Sequence, residues 1–162
     1  MKHLLHNTLN LIDKLIELNS STTIFLESLR GEQLKVMVES QTEKDMSTRC
    51  TIIRVVKLFF DSSEVPVLYC KSTLNKDKLT REEYQLLMAE ELSIGILFHQ
   101  VNNGNSIQKK NISINKEVNP VLAMSLNVKS SVIFKKDYEY WVGDREVGHI
   151  CEFFNDESLA RV

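Results

Sequence analysis

The chain has 162 residues, 43% hydrophobic and 26% charged, with a formal net charge of −2. That balance suits one globular domain over residues 1–162 with a sizeable core, and it argues against nucleic acid or an anionic membrane as the main partner. No apolar run approaches the roughly 20 residues that span a bilayer, and three widely spaced cysteines, Cys50, Cys70 and Cys151, suit a reducing compartment, so the cytoplasm is expected.

Residues 1–19 carry Leu5, Leu9, Ile12 and Ile16 at helical steps, widened by Leu4, Leu11, Leu15 and Leu18, which predicts an amphipathic helix. Asn19-Ser20-Ser21 supplies N-cap candidates for a shorter helix from Thr22 to Leu29, ending near Gly31. Gln33 to Ser40 alternates as a strand, residues 41–47 read as a polar turn, and Thr48 to Phe60 forms a long strand rich in β-branched and aromatic residues. Asp61 to Glu64 turns the chain into a strand from Val65 to Thr73.

Thr80-Arg81-Glu82-Glu83 fits a capping box, opening a helix expected to run to about Leu92. Ser93 caps a further piece from Ile94 to Gln100. After a loop at Asn102 to Ser106, Ile107 to Glu117 alternates around Ile112 and Ile114 as a strand. Asn119-Pro120 breaks the pattern, and residues 121–128 fit a short helix or a strand. Val132 to Val142 and Glu146 to Phe154 make a last hairpin around Gly143. The sum is an α+β domain, a mostly antiparallel β-sheet with helices packed on one face.

Several chemistries find no support. His3, His6, His99 and His149 show no metal-ligand spacing with one another or with the cysteines. No Gly-rich loop opens a helix after a strand, and no serine sits in a nucleophile elbow. The lysine pairs Lys109-Lys110 and Lys135-Lys136 are too short to make a nucleic-acid surface.

Two residues stand out. Alternation along the last strand puts Glu146, Gly148, Ile150, Glu152 and Phe154 on one side, and Val147, His149, Cys151 and Phe153 on the other. Glu152 thus has Ile150 and Phe154 as neighbours, and a carboxylate there is costly unless it is paired or takes up a proton. Arg54 lies within Ile52-Ile53-Arg54-Val55-Val56 and needs a carboxylate, internal or on a ligand, unless its face is wet.

The order and spacing of these pieces resemble the chorismate–pyruvate lyase family, including its archaeal and bacterial branch. The likeness runs from about Asn19 to Phe154. It rests on Ser20-Ser21-Thr22-Thr23 with Phe25-Leu26-Glu27 and Gly31-Glu32, on Arg54 with Leu58 and Pro66-Val67-Leu68, and on Ser93-Ile94-Gly95-Ile96-Leu97. Lys135-Lys136-Asp137-Tyr138 and Cys151-Glu152-Phe153-Phe154 complete it.

The resemblance implies a chorismate lyase-like fold with a buried pocket beneath helical flaps. It implies cofactor-independent elimination of pyruvate from chorismate, giving 4-hydroxybenzoate, with no metal. Glu152 then matches the acid/base carboxylate and Arg54 the anchor for a ligand carboxylate. Ile94 and Gly95 match the apolar side chain and backbone that close over the ring, and Thr22 matches a flap residue. Asn155, the lysines of the basic pair, Ser20-Ser21 and Thr22 depart from the family's usual residues. A second reading is a non-catalytic module binding a small aromatic acid, like the effector domains of a class of transcription regulators with this general fold. No helix-turn-helix region is expected ahead of the domain.

Overall fold

Alternating burial along Arg49–Phe60 sets the architecture: Ile52, Arg54, Val56, Leu58 and Phe60 point inward and the residues between them are half-buried. The computed structural model describes residues 11–15 and 17–160; the expected helical positions at 1–10 and 16 lie outside them. Residues 11–15 form helix α1, followed by α2 (Thr22–Arg30) and the strands β1 (Leu34–Met46), β2 (Arg49–Phe60) and β3 (Leu68–Asn75). Helices α3 (Arg81–Met88) and α4 (Ile94–Val101) lead to β4 (Ile107–Val118), α5 (Pro120–Ser125), β5 (Val132–Val142), β6 (Arg145–Phe154) and α6 (Asp156–Leu159).

The six strands form one antiparallel sheet in the order β1-β2-β3-β6-β5-β4. It is two three-stranded meanders joined where β3 meets β6, with α3 and α4 connecting them. This is the expected α+β architecture. One face buries Leu11, Leu15 and Leu26 against Leu58, Phe60 and Phe154, and buries Leu87, Leu97 and Phe98 against Ile52, Leu74 and Ile150. Each such fully buried side chain contributes about 1.5–3 kcal/mol. The short α5 adds a patch on the other face, where Leu122 and Leu126 cover Ile133, Cys151 and Phe153.

Boundaries differ from expectation for identifiable reasons. Residues 41–46 are not a turn: β1 pairs with β2 as far as Met46–Arg49, with a bulge between Val38 and Ser40. An edge strand wet on one side tolerates polar residues that read as loop. Helix α3 stops at Met88 and not near Leu92, because Glu90 turns the chain at φ 61. β3 starts at Leu68, after Pro66. Pro120 at the first turn, with Asn119 as N-cap, settles residues 121–125 as helix.

In β6, Tyr140 pairs with Gly148 and Trp141 with Glu146, so Val147 is an inserted residue and joins the core cluster of Ile150. Asn155 is wholly buried, donating to the Pro66 and Leu126 carbonyls at 2.8 Å and capping α6.

Gly148 is sterically required, since a Cβ there would lie 2.3 Å from the Thr73 carbonyl oxygen and 2.9 Å from Leu74 Cα. Both are backbone of β3, which cannot rotate away. Gly148→Ala is therefore expected to destabilise the fold by about 1–3 kcal/mol in urea unfolding, whereas an unchanged midpoint would refute the close approach.

Candidate functional site

The register of the sheet lines up its inward polar residues. Arg54 pairs with Ser72, Ser72 with Ile150 and Ile150 with Tyr138. In the next row Cys70 pairs with Glu152 and Glu152 with Lys136. On the other side of the Arg54 row, Tyr140 pairs with Lys109. Two helix starts cap these rows. Ser21 caps α2 through the Ile24 N–H, and Ser93 caps α4 through the Ile96 N–H. They pack tightly, because a Cβ on Gly95 would meet Ser21 Oγ at 2.2 Å.

Between sheet and helices lies a cavity of about 30 Å³, lined by Thr22, Arg54, Tyr138, Tyr140, Ile94, Gly95 and Glu152 among others. All five residues singled out in the sequence therefore line one cavity. Glu152, 4% exposed, accepts from the Thr22 hydroxyl at 3.1 Å and the Tyr138 hydroxyl at 3.0 Å. Thr22 in turn accepts from Lys109 Nζ at 2.9 Å, so it bridges a cation and an anion. Lys109 also lies over the Tyr138 ring, 4.5 Å from its centroid.

Arg54 is 1% exposed and is paired with no carboxylate among the described residues. Its Nη2 donates to the Leu92 carbonyl at 2.8 Å, while Nε and Nη1 are buried without a hydrogen-bond partner among the described residues. The Tyr140 hydroxyl, on the same cavity, is also unpartnered. Buried donors left unmade cost about 1–3 kcal/mol each, more on a charged group, so a further acceptor at these atoms would be stabilising.

The field is cationic. Burial lowers the pKa of Arg54, opposed by nearby Glu90, and burial likewise lowers Lys109, opposed by Glu152. The guanidinium stays protonated regardless. Burial pushes the Tyr138 hydroxyl well up, with the Glu152 charge adding to it, so it remains a donor. Lys136, wholly buried, donates to the Leu15 carbonyl at the end of α1 and to the Leu18 carbonyl just beyond it, at 2.6 and 2.8 Å. Burial, then repulsion from Lys109, brings its pKa down to about 8.

Lys109, Lys136, Tyr138 and Tyr140 carry much of this chemistry, and periodicity assigned none of them a role. The signal for Lys109 was hidden by a bulge. Alternation read backwards from Ile112 and Ile114 puts Lys110 inside, but Asn111 at φ 52 and the register shift between Lys110 and Ser113 reset the phase. Lys136 and Tyr138 share a face with Phe134 and Tyr140, which alternation in β5 does reveal.

No protein-family model matches the chain, and no curated protein matches it. Solved structures do. The effector domain of PhnF from Mycobacterium smegmatis superposes with a TM-score of 0.63 at 10% identity, covering 85% of this chain and 90% of that one. The longer PhnF chain gives 0.62, also at 10% identity, and 85% of this chain spans 64% of it. The C-terminal domain of the histidine utilization repressor from Pseudomonas syringae gives 0.54 at 10% identity, covering 75% and 91%. The ligand-binding domain of a Bordetella bronchiseptica protein assigned to the GntR family of transcriptional regulators gives 0.53 at 12%, covering 76% and 83%.

The chain has the fold of these regulator domains. That finding corrects the expected chorismate–pyruvate lyase: the structures named above are described as transcriptional regulators or as their effector and ligand-binding domains, not as lyases. Both Glu152 oxygens accept from hydroxyl donors, so the carboxylate holds Thr22 and Tyr138 in place. Among the described residues no helix is long and apolar enough to cross a membrane.

Lys136 gives a pH test. Its pKa falls from the ordinary 10.5 to about 8 on folding. Between those values the unfolded chain binds more protons than the folded one, so stability owed to this residue rises with pH across that window. Below about pH 8 both states are protonated and the burial cost is complete. The unfolding free energy of the wild type, relative to Lys136→Met, should therefore increase from pH 8 to 10.5, by at most about 1.4 kcal/mol per unit. A flat or falling difference would show that the ammonium is not strained by burial.

Proposed function

We propose that this chain is a non-catalytic module that binds a small acid, with Arg54 as the anchor for the acid's carboxylate. The observation that carries the reading is the guanidinium with two nitrogens unpartnered among the described residues in a wholly buried position. A planar carboxylate can bridge one edge of the guanidinium, taking Nε or Nη1 together with the second N–H of Nη2, and its charge balances a cation that has no carboxylate partner among the described residues.

Further support comes from the surroundings. The starts of α2 and α4 carry partial positive charge and both line the cavity, which favours an anion. Ile94, Ile150, Val56 and Leu58 give the same cavity an apolar wall suited to a ring or hydrocarbon body. Neighbours of the same fold are described as ligand-binding and effector domains, which agrees with a binding role. The closed cavity of about 30 Å³ holds little more than a water or two. Binding therefore requires the α2 and α4 starts to part, as flaps do.

The test is calorimetry with a panel of small aromatic and aliphatic carboxylates that includes 4-hydroxybenzoate. Wild-type protein should bind members of the panel, and Arg54→Met should weaken them by about 30-fold or more, the cost of losing a buried charge pair of 2 kcal/mol upwards. If no acid binds the wild type, or if Arg54→Met binds as well, the reading fails.

A further inference from the structure

Resting on the binding role proposed above, we infer that the ligand is a two-headed acid, with one carboxylate on Arg54 and a second anionic group on Lys109 and Tyr140. Unsatisfied donors in the cavity fall into two groups. Arg54 Nε and Nη1 come from β2, while the Tyr140 hydroxyl comes from β5. Lys109, the register partner of Tyr140 on β4, has Thr22 as its hydrogen-bond partner among the described residues, so two of its three N–H donors are uncommitted.

β3 and β6 lie between the two groups, so the backbones of β2 and β5 are three strand spacings, about 14 Å, apart. Arg54 and Tyr140 reach inward from opposite sides of that gap. The middle ground belongs to Glu152, a carboxylate already bonded to Thr22 and Tyr138. A compact single head group centred there would face a carboxylate. A molecule with acceptors at both ends and an apolar body passes Glu152 with its uncharged part, against Ile150, Val56 and Ile94.

The charge count gives the same answer. Arg54, Lys109 and Lys136 set three buried cations against Glu152, an excess of two, since the other buried carboxylate, Glu83, is paired with Arg145. One carboxylate leaves an excess of one; a dianion neutralises the cluster. Lys136 is satisfied by the Leu15 and Leu18 carbonyls and contributes only its field.

Calorimetry with matched probes decides the point: benzoate against terephthalate, and hexanoate against adipate. On the wild type, at least one diacid should bind tenfold or more tightly than its monoacid. Lys109→Met should cost that diacid tenfold or more and leave the monoacid within threefold. Tyr140→Phe removes only a hydroxyl that has no partner, so the fold is retained, and it should weaken the diacid selectively by about threefold to tenfold. Equal affinities for mono- and diacids, or equal losses for both in the variants, would overturn the two-headed ligand while leaving Arg54-dependent binding of acids intact. If neither kind of acid binds the wild type, the binding role fails and this inference with it.

Discussion

A buried guanidinium that the described residues do not fully satisfy is the constraint around which this structure turns. Arg54 sits in phase with Ile52 and Val56 on the inner face of β2, so the same alternation that builds the core carries it inside. Folding commits the cation to a dry place and gives it one carbonyl, that of Leu92. The remaining cost is a reservoir that an anionic ligand can release. A protein that needed Arg54 only for stability would do better with an apolar side chain, since buried charges are replaced by hydrocarbon at little or no loss.

Around that cation the fold arranges a polar web of unusual economy. Thr22 lies at the first turn of α2, Lys109 on edge strand β4 and Glu152 on central strand β6, yet one hydroxyl ties all three. Because Thr22 belongs to the helix whose start would part in the proposed binding, the web would link the state of the pocket to the position of α2. Lys136 extends the link to the end of α1, where it holds the Leu15 carbonyl and, just beyond, that of Leu18. Glu83 plays a comparable part at the other end, bonding Arg145 through both oxygens and also Asn102, so that α3, α4 and β6 move together.

Much of this was legible in the chain. Strand alternation put Glu152 on a face with Ile150 and Phe154 and marked Arg54 as a cation within an apolar strand, and the capping residues at Ser21, Thr80 and Ser93 announced helix starts that the structure contains. What escaped was set by irregularities. Bulges in β4 and β6 reverse the inward phase, which concealed Lys109 and moved Val147 into the core. The positive φ of Glu90 ended a helix where the sequence pattern ran on. The lyase expectation failed for a different reason. The segments carrying the resemblance, Ser20 to Thr23, Ser93 to Leu97 and Cys151 to Phe154, bring two helix starts and a carboxylate to one pocket. Those features build a pocket whether or not anything reacts in it, so they mark the fold and not the chemistry.

The most direct measurement is the side-chain Nε–H resonance of Arg54 in a proton–nitrogen NMR spectrum, identified by its loss in Arg54→Met and followed as a binding carboxylate is added. An Nε–H that gains a carboxylate acceptor should shift markedly downfield and become protected from exchange with solvent, saturating at one equivalent of ligand. A resonance that stays in place while ligand binds elsewhere by calorimetry would contradict the account, because the unpartnered guanidinium would then not be the anchor.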